Sequence, residues 1–231
     1  MSLELNQIVK VYCQSWARSK SQKVLSGIDL TIETGEIIGI TGNSGTGKST
    51  LGLILAGIVR PDKGRVCLDG TDLWASNITV RKQINRKLQM VFQHPESTFD
   101  PRWTIQQSLS EPFRINNIQP DFLTLTDRLA EVGLYPEVLV RRPHQLSGGE
   151  LQRIAIARIM ALNPAVVVLD EPTAMLDTLT QARIMNLLKH IQQRTKVSYV
   201  LISHDAFLVH SFCQRIFRLE KGQLSHNLKN R

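Results

Sequence analysis

The sequence predicts an α/β fold: a parallel sheet flanked by helices, interrupted by a helical insert. Three observations carry this. Short, nearly all-apolar runs at 36–41, 165–169 and 197–202 alternate with stretches of helical spacing, the pattern of strands buried on both faces of a parallel sheet. Residues 97–162 lose β-branched runs and carry helical periodicity instead. The three apolar runs each end in polar residues: Thr41 before a glycine loop, Asp170-Glu171 after Leu169, and Ser203-His204 after Ile202. Open α/β sheets bind ligands outside the carboxyl ends of their strands.

Taken in order, residues 24–33 read as a strand, with Val24, Ile28, Leu30 and Ile32 largely in period two. The strand at 36–41 (EIIGIT) runs into the glycine loop and an apolar helix from Lys48. Residues 65–68 turn at Asp69-Gly70, a short-range hairpin signal. Helical spacing is clearest for Leu125, Leu129 and Val132, and for Leu151, Ile154, Ala155, Arg158, Ile159 and Leu162. After Pro164 the β-rich pattern returns at 165–169, then at 197–202 beyond a helix near 179–193.

Composition narrows the function classes. The chain has 231 residues, 42% hydrophobic and 21% charged, enough for one core that buries roughly 70% of its unfolded surface. Cys13, Cys67 and Cys213 are odd in number and never CxxC, which disfavours a disulfide framework or zinc knuckle. The longest apolar run, at 51–59, is nine residues, against the ~20 that a membrane span needs. No basic-then-apolar leader opens the chain, so a soluble, cytoplasmic protein is expected. The net charge of +8 suits anions such as nucleotide phosphates, nucleic acid or an acidic membrane face. Its densest patches, Arg81-Lys82 to Arg86-Lys87 and Arg141-Arg142, name no partner by themselves.

Three motifs carry chemistry. Gly42-Asn43-Ser44-Gly45-Thr46-Gly47-Lys48-Ser49 fits G-x-x-x-x-G-K-[ST] between a strand and a helix. Its glycines let successive backbone N–H groups curl around phosphate oxygens at a helix N-terminus. Lys48 is expected on the β- and γ-phosphates, the Ser49 hydroxyl on Mg²⁺, and Thr50 near the α-phosphate. Residues 166–171 (VVVLDE) look like a Walker B strand, 122 positions from Lys48 to Asp170. Asp170 is placed to hold the Mg²⁺ shell, through water, and Glu171 to orient or deprotonate the attacking water. Residues 146–150 (LSGGE) open an amphipathic helix; Ser147 and Glu150 fit a capping box. A cap does not explain Gly148 and Gly149, and exposed N–H groups at a helix start form a second anion site. Two phosphate-binding helix starts in one chain suggest that two chains share one nucleotide.

Over essentially its whole length the sequence resembles the ATP-binding cassette family, whose motif order and spacing match the phosphate loop, Gln93, residues 146–150, Asp170-Glu171, Asp177 and His204. The resemblance implies a P-loop NTPase core with a parallel sheet, an N-terminal antiparallel β portion and an inserted α-helical subdomain. It implies one nucleotide-binding domain over 1–231, with a core of about 1–94 and 163–231 and a helical subdomain of about 95–162. ATP would lie between two head-to-tail subunits, with Ser147, Gly148 and Gly149 facing the partner's γ-phosphate. Gln93 would contact Mg²⁺ or the water, His204 the γ-phosphate, and Asp177 would lie in the subunit interface. Tyr12 is the candidate for stacking on adenine, with Trp16 its rival.

Two positions depart from the family pattern. Glu150 stands in place of the usual glutamine, and Ala174-Met175-Leu176-Asp177 in place of Ser-Ala-Leu-Asp. A narrower likeness lies in residues 89–104 (QMVFQHPESTFDPRWT) with Glu111-Pro112, which look like the ATPase subunits of peptide and nickel importers. Phe99-Asp100-Pro101-Arg102 stands there where Asn-Pro is usual, and Phe99 and Trp103 are expected in a groove receiving a membrane subunit. That group implies membrane permease subunits, a second cassette (identical or not) and, indirectly, an extracellular solute-binding protein. It places the chain on the inner face of the cell membrane, with no nucleic acid expected. An ABC-type ATPase with a nucleic-acid or nucleotide-gated scaffold role is the alternative. The absence of a cysteine-rich tail implies no iron–sulfur role.

Overall fold

The computed structural model describes residues 1–13 and 21–227. They form two compact units: Met1–Met90 with Ala165–Glu171 and the chain from Gln192 on, and Val91–Pro164 with Pro172–Ile191.

The first unit opens with β1 (Ser2–Cys13) and β2 (Ser21–Glu33), antiparallel with several register shifts. One consequence departs from the period-two reading of β2. Leu25, not Val24, is buried alongside Ile28, Leu30 and Ile32, because an irregular ladder exchanges the faces on either side of it. β3 (Ile37–Thr41) leads to α1 (Lys48–Leu55). β4 (Lys63–Leu68) and β5 (Thr71–Asp72) close the expected two-residue hairpin. Asp69 and Gly70 have φ of 49° and 75°, the left-handed pair that matches the twist of a tight hairpin. α2 (Ile78–Lys87) and β6 (Leu88–Val91) follow; α2 was missed, since its one buried residue leaves no apolar stripe to read.

The second unit is helical: α3 (Ile105–Ile115), α4 (Phe122–Glu131), α5 (Gly148–Met160) and, from Thr178, most of α6 (Thr178–Thr195). Capping side chains fix the starts. Thr104 and Gln107 form a reciprocal box for α3, Asp121 accepts from Thr124 N–H for α4, and Ser147 with Glu150 does so for α5.

β7 (Val166–Asp170), β8 (Ser198–Ile202), α7 (Ala206–Phe212), β9 (Arg215–Glu220) and β10 (Gln223–Asn227) complete the first unit. Its main sheet runs β10-β9-β3-β8-β7-β6, and its antiparallel sheet β2-β1-β4-β5. β7, β8, β3 and β9 are parallel neighbours, so the tips of β3, β7 and β8 lie side by side. β7 and β8 are buried along their whole length. α1 lies directly on them: the space where a Cβ on Gly52 would stand is 2.7 Å from Ile202 Cδ1 and 3.3 Å from Val168 Cγ1. Among the described residues no helix is long and apolar enough to cross a membrane.

Candidate nucleotide site

In the first unit the predicted phosphate loop joins β3 to α1. Gly47 has φ of 102°, a region open to glycine and strained for other residues, and a Cβ there would stand 2.6 Å from Val24 Cγ1. Val24, displaced from the buried row, therefore backs the loop. α1 has no side-chain cap and no acidic residue in its first turn. Its leading N–H groups are thus left for an anion. Lys48 Nζ donates to the carbonyls of Gly42 at 2.7 Å and Asn43 at 2.9 Å, which folds the ammonium over the loop. Thr46 Oγ1 donates to Asn43 O at 2.9 Å. Asn43, Ser44, Gly45 and Ser49 are exposed, and Thr50 is half-buried.

The strand tips bring together the acidic residues and His204. Asp170, 8% exposed at the end of β7, has its carboxyl held above the usual range, mainly because burial penalises its charge. The Ser49 hydroxyl bonded to it and the Lys48 charge pull the other way. Glu171 takes φ of 47°, an uncommon conformation for a side-chain-bearing residue. Its carboxylate accepts the His204 backbone N–H at 3.0 Å, pairs with His204 Nδ1 at 2.8 Å and accepts the Ser203 hydroxyl at 3.4 Å. The His204 side chain is otherwise 72% exposed. Ser203, 2% exposed, was marked in the sequence only as a polar end of an apolar strand; its bond to Glu171, a contact between residues 32 positions apart, is what the sequence does not show. Beside this group lies a cavity of about 680 Å³ lined by residues including Gly42, Asn43, Ser44, His204, His210 and Arg218. Tyr12 stands one residue before the end of β1, with its ring exposed and Lys10 Nζ 5.5 Å from the ring centroid. Trp16 lies outside the described residues.

The second unit holds Gln93, Ser147, Gly148, Gly149 and Asp177. Gln93 is exposed just beyond β6. The capping box at α5 is formed as read: Glu150 Oε2 accepts the Ser147 N–H at 2.9 Å and its hydroxyl at 2.6 Å, and the Glu150 N–H reaches Ser147 Oγ at 3.3 Å. Those bonds, the Ser147 hydroxyl first, hold the Glu150 carboxyl below its usual range, helped by Arg141 and Arg153. Ser147 and Gly148 are exposed, whereas Gly149 is buried. A Cβ on Gly149 would meet Thr180 Cγ2 at 2.6 Å, so this glycine is required by the approach of α6, a reason that the sequence pattern does not carry. Asp177 starts α6 by accepting the Thr180 N–H at 3.0 Å; the Thr180 hydroxyl first, and then this N–H, hold its carboxyl below the usual range. Gln181 holds the loop before it, donating to Thr173 O and Leu176 O at 3.0 Å each. The signature helix start and the Asp177 loop are thus neighbours.

One expectation needs correction. Phe99 is not a groove-lining residue: it is 6% exposed and lies under the Arg158 guanidinium, 5.3 Å from ring centroid to Cζ. Trp103 is half-buried.

A family model described as ABC transporter matches residues 25–174. The chain belongs to the ABC transporter family. It is an ATP-binding cassette of the ATPase kind, with the P-loop core, antiparallel sheet and helical part of that fold. The cassette is 38% identical to the putative oligopeptide transport ATP-binding protein YkfD of Bacillus subtilis, over 96% of this chain and 68% of that protein. It is 39% identical to the nickel import ATP-binding protein NikE of Escherichia coli K12, over 90% of this chain and 78% of that one. It also matches the MJ0796 ATP-binding cassette, solved as a dimer in a post-hydrolysis state bound to ADP and Pi, with a TM-score of 0.85, 28% identity and 97% of both chains covered.

Proposed function

We propose that this cassette is the ATP-hydrolysing subunit of an importer of the peptide or nickel (metal-chelate) type. It would act at the inner face of the cell membrane with separate permease subunits and a second cassette, identical or not, and indirectly with an extracellular solute-binding protein. The observation that carries the catalytic part is the group of four at the strand tips: buried Asp170, and Glu171 bridged to Ser203 and His204. The peptide or nickel class rests on the likeness to the oligopeptide transport protein and the nickel import protein.

In this reading the loop from Gly42 to Thr50 holds the phosphates and Tyr12 stacks on adenine. The donor set fits Mg²⁺, because the Ser49 hydroxyl and Asp170 carboxylate are hard oxygen donors already in contact. No cluster of three His, Cys, Asp or Glu among the described residues forms a protein-only cage, and magnesium in phosphate sites takes one or two protein ligands beside phosphate oxygens. When bound, the ion would neutralise charge on the β- and γ-phosphates. Glu171, held in place by His204 and Ser203, would take the proton of the attacking water. His204 would turn its exposed ring to the γ-phosphate. Gln93 is assigned to the cation or the water on its motif position. Ser147, Gly148 and Gly149 would present N–H groups to the nucleotide of the partner cassette, and Asp177 would lie in that interface. Positioning and charge neutralisation supply most of such catalysis.

Mixing Lys48→Ala with Ser147→Arg subunits tests the shared site, since a mixed dimer holds one intact composite site and one doubly broken one. Recovered ATPase activity is expected. If each defect stays within its own subunit, the composite reading fails. Co-purification in mild detergent, followed by identification of the accompanying membrane chains, tests the importer assignment.

A further inference from the structure

We infer that Arg158 is a positioning residue that yokes the loop at 95–103 to α5, so that movement of the loop reaches the helix start at Ser147, Gly148 and Gly149. This rests on the reading that the helix start meets ATP. Arg158 lies in the last turn of α5, about 16 Å along the helix from Ser147 at 1.5 Å per residue. One arm of its guanidinium donates to Thr98 O at 2.6 Å, and the other to Glu111 Oε2 on α3 at 2.6 Å. Its plane also covers the buried ring of Phe99. The guanidinium thus grips the loop at two consecutive residues, by a carbonyl and by a ring.

The loop it grips is internally braced. Ser97 Oγ donates to His94 O and Thr98 Oγ1 to Pro95 O, each at 2.7 Å. Arg102 donates to Asp100 from its backbone N–H, Nε and Nη2, which draws the Asp100 carboxyl down to about 2. Trp103 N–H donates to Asp100 O at 3.1 Å. A braced loop gripped at Thr98 and Phe99 moves as a block, and a 13-residue helix transmits that movement along its axis. Lysine cannot substitute here: a point ammonium reaches one acceptor well but lacks the planar fork and face that engage a carbonyl, a carboxylate and a ring together. Glu111 pairs the second arm of the half-buried Arg158 guanidinium, so a charge-assisted bond anchors the grip to α3.

The test is amide hydrogen exchange on the full chain carrying Glu171→Gln, with and without Mg-ATP, so that bound nucleotide persists. In that parent, ATP is expected to slow exchange at 147–151 and at 96–103 together, by ~5-fold or more at the loop. Adding Arg158→Lys should leave the slowing at 147–151 intact and reduce that at the loop to less than ~2-fold. Phe99→Leu, which removes the ring but keeps an apolar side chain, should act in the same direction and serves if Arg158→Lys lowers the melting temperature. A purely structural role would speed exchange equally with and without ATP, and that result overturns the inference. So does a full loop response in either variant that melts like the parent. If ATP leaves 147–151 of the parent unchanged, the composite-site reading has failed first, and the yoke falls with it.

Discussion

The two units of this cassette hold their functional residues by different means. In the first, Asp170, Glu171 and His204 stand at the tips of β7 and β8, paired in parallel from Val166–Ser198 to Asp170–Ile202. Their positions come from a ladder between segments more than 30 residues apart, and their side chains hold one another. In the second, Ser147 and Asp177 stand at helix starts and each is held by an N–H group three residues on. A strand-tip site is tertiary from the outset, whereas a helix-start site is local and becomes tertiary only where another element presses on it. Substitutions should therefore act on chemistry in the first unit and on packing in the second.

The largest effect is expected from Glu171→Gln, a slowing of ATP hydrolysis by ~10²–10⁴ if the carboxylate is the general base. The amide oxygen can still accept the His204 N–H, so the strand tip should keep its shape and nucleotide affinity should hold. Phosphate release and equilibrium ATP binding measure the two separately. Near-normal turnover would remove Glu171 from the role. Lys48→Ala should instead weaken binding itself, because its charge opposes phosphate in the ground state as well, and an unchanged affinity would contradict the phosphate-loop assignment.

Next comes Gly149→Ala, which sets a methyl group against Thr180 Cγ2 at 2.6 Å. Overpacking of this kind costs about 1–3 kcal/mol. Thr180→Ser removes that methyl while keeping the hydroxyl, so the double variant should recover most of the lost stability in urea melts. If Gly149→Ala costs the same whether or not Thr180 is trimmed, the pressure of α6 is not why glycine stands there.

Much of this contrast was legible in the sequence. Apolar runs ending in polar residues marked the tips of β3, β7 and β8, and G-x-x-x-x-G-K-S fixed the loop between β3 and α1, because both signals are written in consecutive residues. The capping box at Ser147 was legible for the same reason. What stayed hidden needed a partner distant in sequence. The second reason for Gly149 is Thr180; the support of the Asp177 loop is Gln181; and the burial of Phe99 is due to Arg158, 59 positions on. β2 was placed, but the side on which Val24 falls depended on irregular pairing with β1. α2 escaped because charge outweighs its single buried isoleucine.

The smallest expected effect lies at Glu150, where the local character of the second unit can be isolated by pH. A carboxyl held below its usual value stabilises the folded state above the unfolded pKa, near 4.5 here. That stability is lost as pH falls through the lowered folded value. Glu150→Gln keeps the shape of the cap, since a glutamine oxygen also accepts the Ser147 N–H, but gives up the charge-assisted bonds and the favourable carboxylate at a helix N-terminus. At pH 7 the variant should be less stable by about 0.5–1 kcal/mol, the scale of a single cap. Below pH 4.5 the gap should close as Glu150 itself takes a proton and the two side chains become near equivalents. Comparing urea midpoints of both proteins at each pH cancels the titration of every other carboxylate. A gap that persists in acid would mean that the glutamate acts through something other than its charge on Ser147. A gap absent at pH 7 would mean that Arg141 and Arg153, both placed to favour the carboxylate, lose as much on folding as they return.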